Sequence, residues 1–74
     1  MSINDFINSL SNKLIKNNFH YIKINKEYNN LDKTLLLHIR CKRNKKNYTH
    51  DISIHENWLN NNSINVIIGF LLLQ

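Results

Sequence analysis

Arg40, Lys42, Arg43, Lys45 and Lys46 place five of the chain's ten Lys and Arg in one seven-residue stretch. Cations at this density do one kind of chemistry well: they neutralise phosphates or dock on acidic protein surfaces. Crowded together they repel one another, and an anionic partner relieves that repulsion. The structural alternative is a solvated loop whose charges keep strand edges from aggregating. A second set, Phe19, Tyr21, Lys23, His38 and Arg40, interleaves aromatic rings with cations. Rings between cations stack bases in sheet-surface RNA binders. The same mixture makes hot spots in protein interfaces. Together the two sets are the candidate partner-binding residues.

The remaining reactive side chains do not assemble into a site. His38 and Cys41 are three apart, and His50 and His55 are five apart. On strands an odd separation points side chains to opposite faces, so neither pair chelates. A structural zinc site needs closely spaced ligand pairs. No metal and no cofactor is expected. Asp51 lies between His50 and His55, and Cys41 is a nucleophile that a His would activate. No Gly-rich loop converges backbone donors on them, so no catalytic residue is expected and the chain does not read as an enzyme. The single cysteine rules out an intramolecular disulfide and fits a reducing cytoplasm.

The elements that position these residues follow from periodicity. Ile3, Phe6, Ile7, Leu10 and Leu14 form the stripe of an amphipathic helix over 3–16, with Ser2 as N-cap and Asn17 and Asn18 as the stop. From Phe19 the period becomes two. Over 19–28, Ile22 and Ile24 share a face with His20, while Phe19, Tyr21 and Lys23 share the other. Asn29, Asn30 and Asp32 mark a turn. Leu35, Leu37, Ile39 and Cys41 then alternate with Thr34, Leu36, His38 and Arg40. Beyond the basic stretch, Tyr48, His50, Ile52 and Ile54 alternate with Thr49, Asp51, Ser53 and His55. Short connections between three such segments predict an antiparallel meander, with the basic stretch at a hairpin tip.

The last segment, 62–73, fits a helical stripe through Ile64, Ile67, Ile68, Leu71 and Leu72, with Asn62 or Ser63 as cap. Its β-branched content also suits a fourth strand. A second helix is favoured because the sheet's apolar face needs cover, with Trp58 and Leu59 packing at its entrance. The predicted fold is α+β, in the order α-β-β-β-α, with helices on one face of a three-stranded antiparallel sheet. The open face then carries Phe19, Tyr21, Lys23, Leu36, His38, Arg40, Thr49 and Asp51; the alternative is that the faces of 19–28 are reversed and Phe19 and Tyr21 belong to the core.

Seventy-four residues make one domain, 1–74, with a thin stability margin and no room for a deep cleft. Fifteen Asn and eight Lys, with no Ala or Pro and one Gly, read as the imprint of an AT-rich genome. Asn then serves where Gly or Asp would sit at turns. The net charge of +5 follows partly from the same bias, so the clustering carries the signal. No secretory leader is visible, and the apolar run Val66–Leu73 is far shorter than a bilayer span. A cytoplasmic protein without membrane contact is expected. If the C-terminal run is incompletely covered, a homodimer is favoured.

The element order resembles the double-stranded RNA-binding domain, but that family starts its last helix with lysines, where this chain has Asn60-Asn61-Asn62-Ser63. The opening Met1-Ser2-Ile3-Asn4-Asp5-Phe6-Ile7 resembles the first helix of a small phage anti-CRISPR protein of the Cas9-inhibitor type, which shares the order helix, three strands, helix. Asn62-Ser63-Ile64-Asn65-Val66 sits about where that family's next helix begins. The resemblance implies a phage-encoded inhibitor of a CRISPR effector, acting in the host cytoplasm. That inhibitor imitates DNA through a patch of Asp and Glu. Here Asp5, Glu27, Asp32, Asp51 and Glu56 are scattered. An inhibitor built on this chain would instead use its basic hairpin against guide RNA or an acidic effector surface. The alternative is a nucleic-acid-binding module using the hairpin and the aromatic sheet face directly.

Overall fold

The computed structural model describes residues 1–74. The backbone forms α1 (Ile3–Lys16), β1 (His20–Asn29), β2 (Thr34–Arg43), β3 (Lys46–His55), a 3-10 turn (Glu56–Trp58) and α2 (Asn61–Leu72). The fold is α+β. The strands make an open antiparallel sheet in the order β1-β2-β3. Both helices cover one of its faces. There Leu35, Leu37 and Ile39 meet Phe6, Leu10 and Leu14 from α1 and Ile64, Ile67 and Leu71 from α2 in a single core.

α1 starts where Ser2 Oγ accepts the Asp5 N–H at 3.1 Å, satisfying one of the free donors of the first turn. It ends in a Schellman arrangement. Asn18 turns left-handed at φ 66°, its N–H reaches the Ile15 carbonyl, and the Phe19 N–H reaches the Leu14 carbonyl at 3.0 Å. Leu14 and Phe19 are both fully buried, which supplies the apolar contact that accompanies this motif. At the other end Lys26 Nζ donates to Asn4 Oδ1 at 2.7 Å, tying the first turn of α1 to β1.

Two different turns join the strands. Between β1 and β2, Asn29 Oδ1 accepts the Leu31 and Asp32 N–H groups at 2.9 and 3.3 Å, an Asx turn. Between β2 and β3 only Asn44 and Lys45 lie outside the ladder, at φ 53° and 66°. Two left-handed residues in a two-residue loop match the twist of the flanking strands. The basic stretch is therefore mostly strand: Arg40, Lys42 and Arg43 belong to β2, and Lys46 opens β3.

The ambiguous C-terminal segment is a helix, one residue earlier at each end than the stripe suggested. Its cap is Asn60, whose Oδ1 accepts the Ser63 N–H at 3.0 Å, rather than Asn62 or Ser63. Leu59 is buried at the entrance to α2, but Trp58 is 63% exposed on the 3-10 turn and does not pack into the core as expected. Val66 and Phe70 point outward from α2, and they and its C-cap Leu73 stay half-exposed or more. No helix is long and apolar enough to cross a membrane.

Lys45 holds a left-handed backbone that costs an L-residue with a Cβ roughly 1 kcal/mol or more, and glycine does not bear that cost. Lys45→Gly is expected to stabilise the fold by about 1 kcal/mol and to raise Tm by roughly 4–8 °C in thermal unfolding followed by circular dichroism.

Candidate functional site

The open sheet face is set by the two hairpins. Each β3 residue faces the β2 residue equally far from the Asn44–Lys45 turn, which pairs Lys42 with Asn47, Arg40 with Thr49 and His38 with Asp51. On the other side β1 adds Lys23 opposite Arg40 and Asn25 opposite His38. The register then slips. His20, not Tyr21, pairs with Lys42, so one extra residue is inserted between His20 and Lys23. Tyr21 sits in this β-bulge at φ 53°.

The bulge corrects two expectations. A regular strand keeps Phe19 and Lys23 on one face, but the inserted residue breaks that alternation. Phe19 is wholly buried, its ring edge-on to Tyr48 at a centroid distance of 5.3 Å. It therefore belongs to the core and not to the partner-binding face. His20 moves the opposite way, out of the Ile22 and Ile24 face to an exposed position beside Lys42. Tyr21 stays outside, 83% exposed, with Lys42 Nζ 5.6 Å from its ring centroid.

The five clustered cations do not play one role. Arg43 Nε donates to the Asn17 carbonyl at 3.0 Å, and its guanidinium lies 5.7 Å from the Phe19 ring centroid. Asn17 is the C-cap of α1, so this cation meets the negative end of the helix dipole and fixes the hairpin to the helix. Lys46 Nζ stands 5.1 Å from the Tyr48 ring centroid. Arg40, Lys42, Lys45 and Lys46 keep their charge toward solvent, and no carboxylate lies within ion-pair distance of any Lys or Arg.

Charge is segregated along the 39 Å length of the body. α1 runs from the β1–β2 turn to the β2–β3 tip, as its contacts to Lys26 and Arg43 require. The tip half therefore gathers Lys13, Lys16, Lys23, Arg40, Lys42, Arg43, Lys45 and Lys46. Four of the five acids, Asp5, Glu27, Asp32 and Glu56, lie in the other half. There the Tyr28 hydroxyl donates to Glu56 Oε2 at 2.8 Å, and that bond, then desolvation and the carboxylate's charge, raises the phenol's pKa above its ordinary value.

The fifth acid, Asp51, is hydrogen-bonded to His38, with His38 Nδ1 and Asp51 Oδ1 2.8 Å apart. This partly occupies His38, one of the partner-binding candidates read from the sequence. The pair follows from a two-residue turn, a signal legible only once the loop length is known. Cys41 is buried, and desolvation raises its thiol pKa, which suppresses the thiolate. No group of three or more His, Cys, Asp or Glu is arranged to hold a metal ion. The arrangement exposes four cations without a carboxylate partner beside one exposed ring. Comparison with protein-family models, curated proteins and solved structures finds no match to this chain.

Arg43 and Lys45 are adjacent to the same turn yet differ in what they hold. Arg43→Gln is expected to cost about 2 kcal/mol, because it removes a charged hydrogen bond and a cation–π contact. Lys45→Gln is expected to change stability by less than about 0.5 kcal/mol. Equilibrium urea unfolding of the two variants checks the contrast.

Proposed function

We propose that this chain is a small, non-catalytic binding protein whose cationic end engages the sugar–phosphate backbone of a nucleic acid, free or held in a ribonucleoprotein. The observation that carries the reading is the segregation of charge: Arg40, Lys42, Lys45 and Lys46 sit toward one end of the β2–β3 hairpin without a carboxylate partner. Contacts of this kind position a protein on phosphates without reading sequence. A CRISPR effector, the target that the resemblance of the first helix implies, carries such a backbone in its guide RNA. Inhibition of that effector in a host cytoplasm is the narrower form of the same proposal.

The clean variant replaces Arg40, Lys42, Lys45 and Lys46 with Gln and leaves Arg43 in place, since Arg43 holds the fold. Fluorescence anisotropy against labelled RNA and DNA across a salt series is expected to show tight binding by the native chain. Loss of roughly four phosphate contacts should reduce the log–log salt slope by about 3. An unchanged affinity and slope in the variant would sink the proposal. In an effector cleavage assay the same variant is expected to lose inhibition.

A second observation favours a homodimer. Trp58, Val66, Phe70 and Leu73 are 51–84% exposed, and α2 carries no charged residue. Two copies can pair there without the repulsion that their net +5 charges would create elsewhere. Such a patch offers on the order of 500 Å² per copy, so a twofold pairing buries about 1,000 Å², the lower bound for a specific interface. Light scattering is expected to give a dimer for the native chain and a monomer for Val66→Asp/Phe70→Asp. A native chain that stays monomeric at high micromolar concentration rules the dimer out.

A further inference from the structure

We infer that Tyr21 is a stacking platform for an unpaired nucleobase, which makes the ligand of the cationic end a single strand rather than a duplex. This rests on the phosphate-binding reading above and specifies its substrate. The argument starts from the backbone. Tyr21 occupies a left-handed bulge position, φ 53°, that is unfavourable for a bulky side chain. Of the chain's four other left-handed positions, 18 and 44 carry Asn, which tolerates them, and 33 and 45 carry Lys, so Tyr21 is the one aromatic among the five. An Asn at 21 would relieve the backbone, and nothing in the core compensates for the tyrosine, because its ring is 83% exposed. The ring's one aromatic-type contact is the Lys42 ammonium.

The surroundings suit a base. A hollow of about 280 Å³ lies on one side of Tyr21, lined also by Arg40, Asn47 and Thr49. Another of about 340 Å³ lies beside His20, Asn44 and Lys45. A flat ring flanked by cations and by amide and hydroxyl groups can stack a base while Lys42, Lys45 and Arg40 hold the adjoining phosphates. A duplex keeps its bases paired inside and cannot present one to an exposed ring without unstacking it. The shared ligand chemistry is a single-stranded polynucleotide, and RNA and DNA are its two sources.

The test is fluorescence anisotropy of the full chain with labelled oligo(U), oligo(dT) and a duplex of equal length, at several salt concentrations. Single strands are expected to bind more tightly than the duplex. Tyr21→Ala should weaken single-strand binding about tenfold, the loss of one base–aromatic stack. It should leave duplex binding and the salt slope unchanged, because no phosphate contact is removed. Tyr21→Trp should restore the affinity. Tyr21→Asn, which suits the left-handed backbone, guards against loss of fold and should match Tyr21→Ala. Oligo(U) over oligo(dT) identifies RNA as the source, and the reverse identifies DNA. If the native chain binds but Tyr21→Ala and Tyr21→Asn bind single strands as tightly, the stacking role is overturned and the phosphate reading stands. If the native chain binds none of the three, both fall together.

Discussion

Burial of the Phe19 ring constrains everything around it. Its N–H closes the end of α1, its ring packs on Tyr48 of β3, and Arg43 of β2 covers it while reaching the helix C-cap. One residue thus joins the first helix, the entry to the sheet and both strands of the basic hairpin. A buried Phe is worth roughly 1.5–3 kcal/mol against leaving it exposed, a large share of the stability expected of so small a domain. With Phe19 in the core and Lys23 on the open face, the strand must change parity between them. The extra residue at Tyr21 is the means, and an exposed, strained aromatic is the result.

Much of the fold is legible in the residues because each element repeats its period several times. Ile3 through Leu14 give a helix with its cap, and Leu35 through Cys41 and Tyr48 through Ile54 give strands whose core face is unambiguous. β1 is where the reading fails. Period-two reasoning assumes one residue per step, and a bulge without glycine leaves no mark in the sequence. Unbroken alternation therefore puts Phe19 and His20 on the wrong faces, and Tyr21 and Lys23 on the open one where the structure has them. The α2 cap is not legible in the sequence, because Asn60, Asn61, Asn62 and Ser63 are all competent caps and only the extended backbone at Asn60 decides among them. Trp58 misled for a related reason, since size alone does not say whether a 3-10 turn aims a ring inward.

The basic stretch illustrates how a composition signal divides once distances are known. Five neighbouring cations look equivalent in sequence. In three dimensions Arg43 is a structural clamp, Lys42 and Lys46 lie beside rings, and Arg40 and Lys45 face water without a side-chain partner. Such division is normal for Arg and Lys: a planar guanidinium can donate to a carbonyl and cover a ring at once, whereas an ammonium remains a hydrated point charge. Neutralising the whole cluster would therefore mix loss of fold with loss of binding, and only the geometry separates them.

The parallel course of charge and length has a consequence for how this molecule moves toward another. At physiological salt the screening length is about 8 Å, far shorter than the 39 Å body. The two ends then act as separate poles, not as one average charge. Within about one screening length of a polyanion, such a charge distribution would turn the hairpin end toward it. The chain would arrive upright, with the β1–β2 turn and the 93%-exposed Leu31 facing away from the surface. An object that lands in one orientation wastes few encounters, which raises its capture rate without any gain in final contact energy.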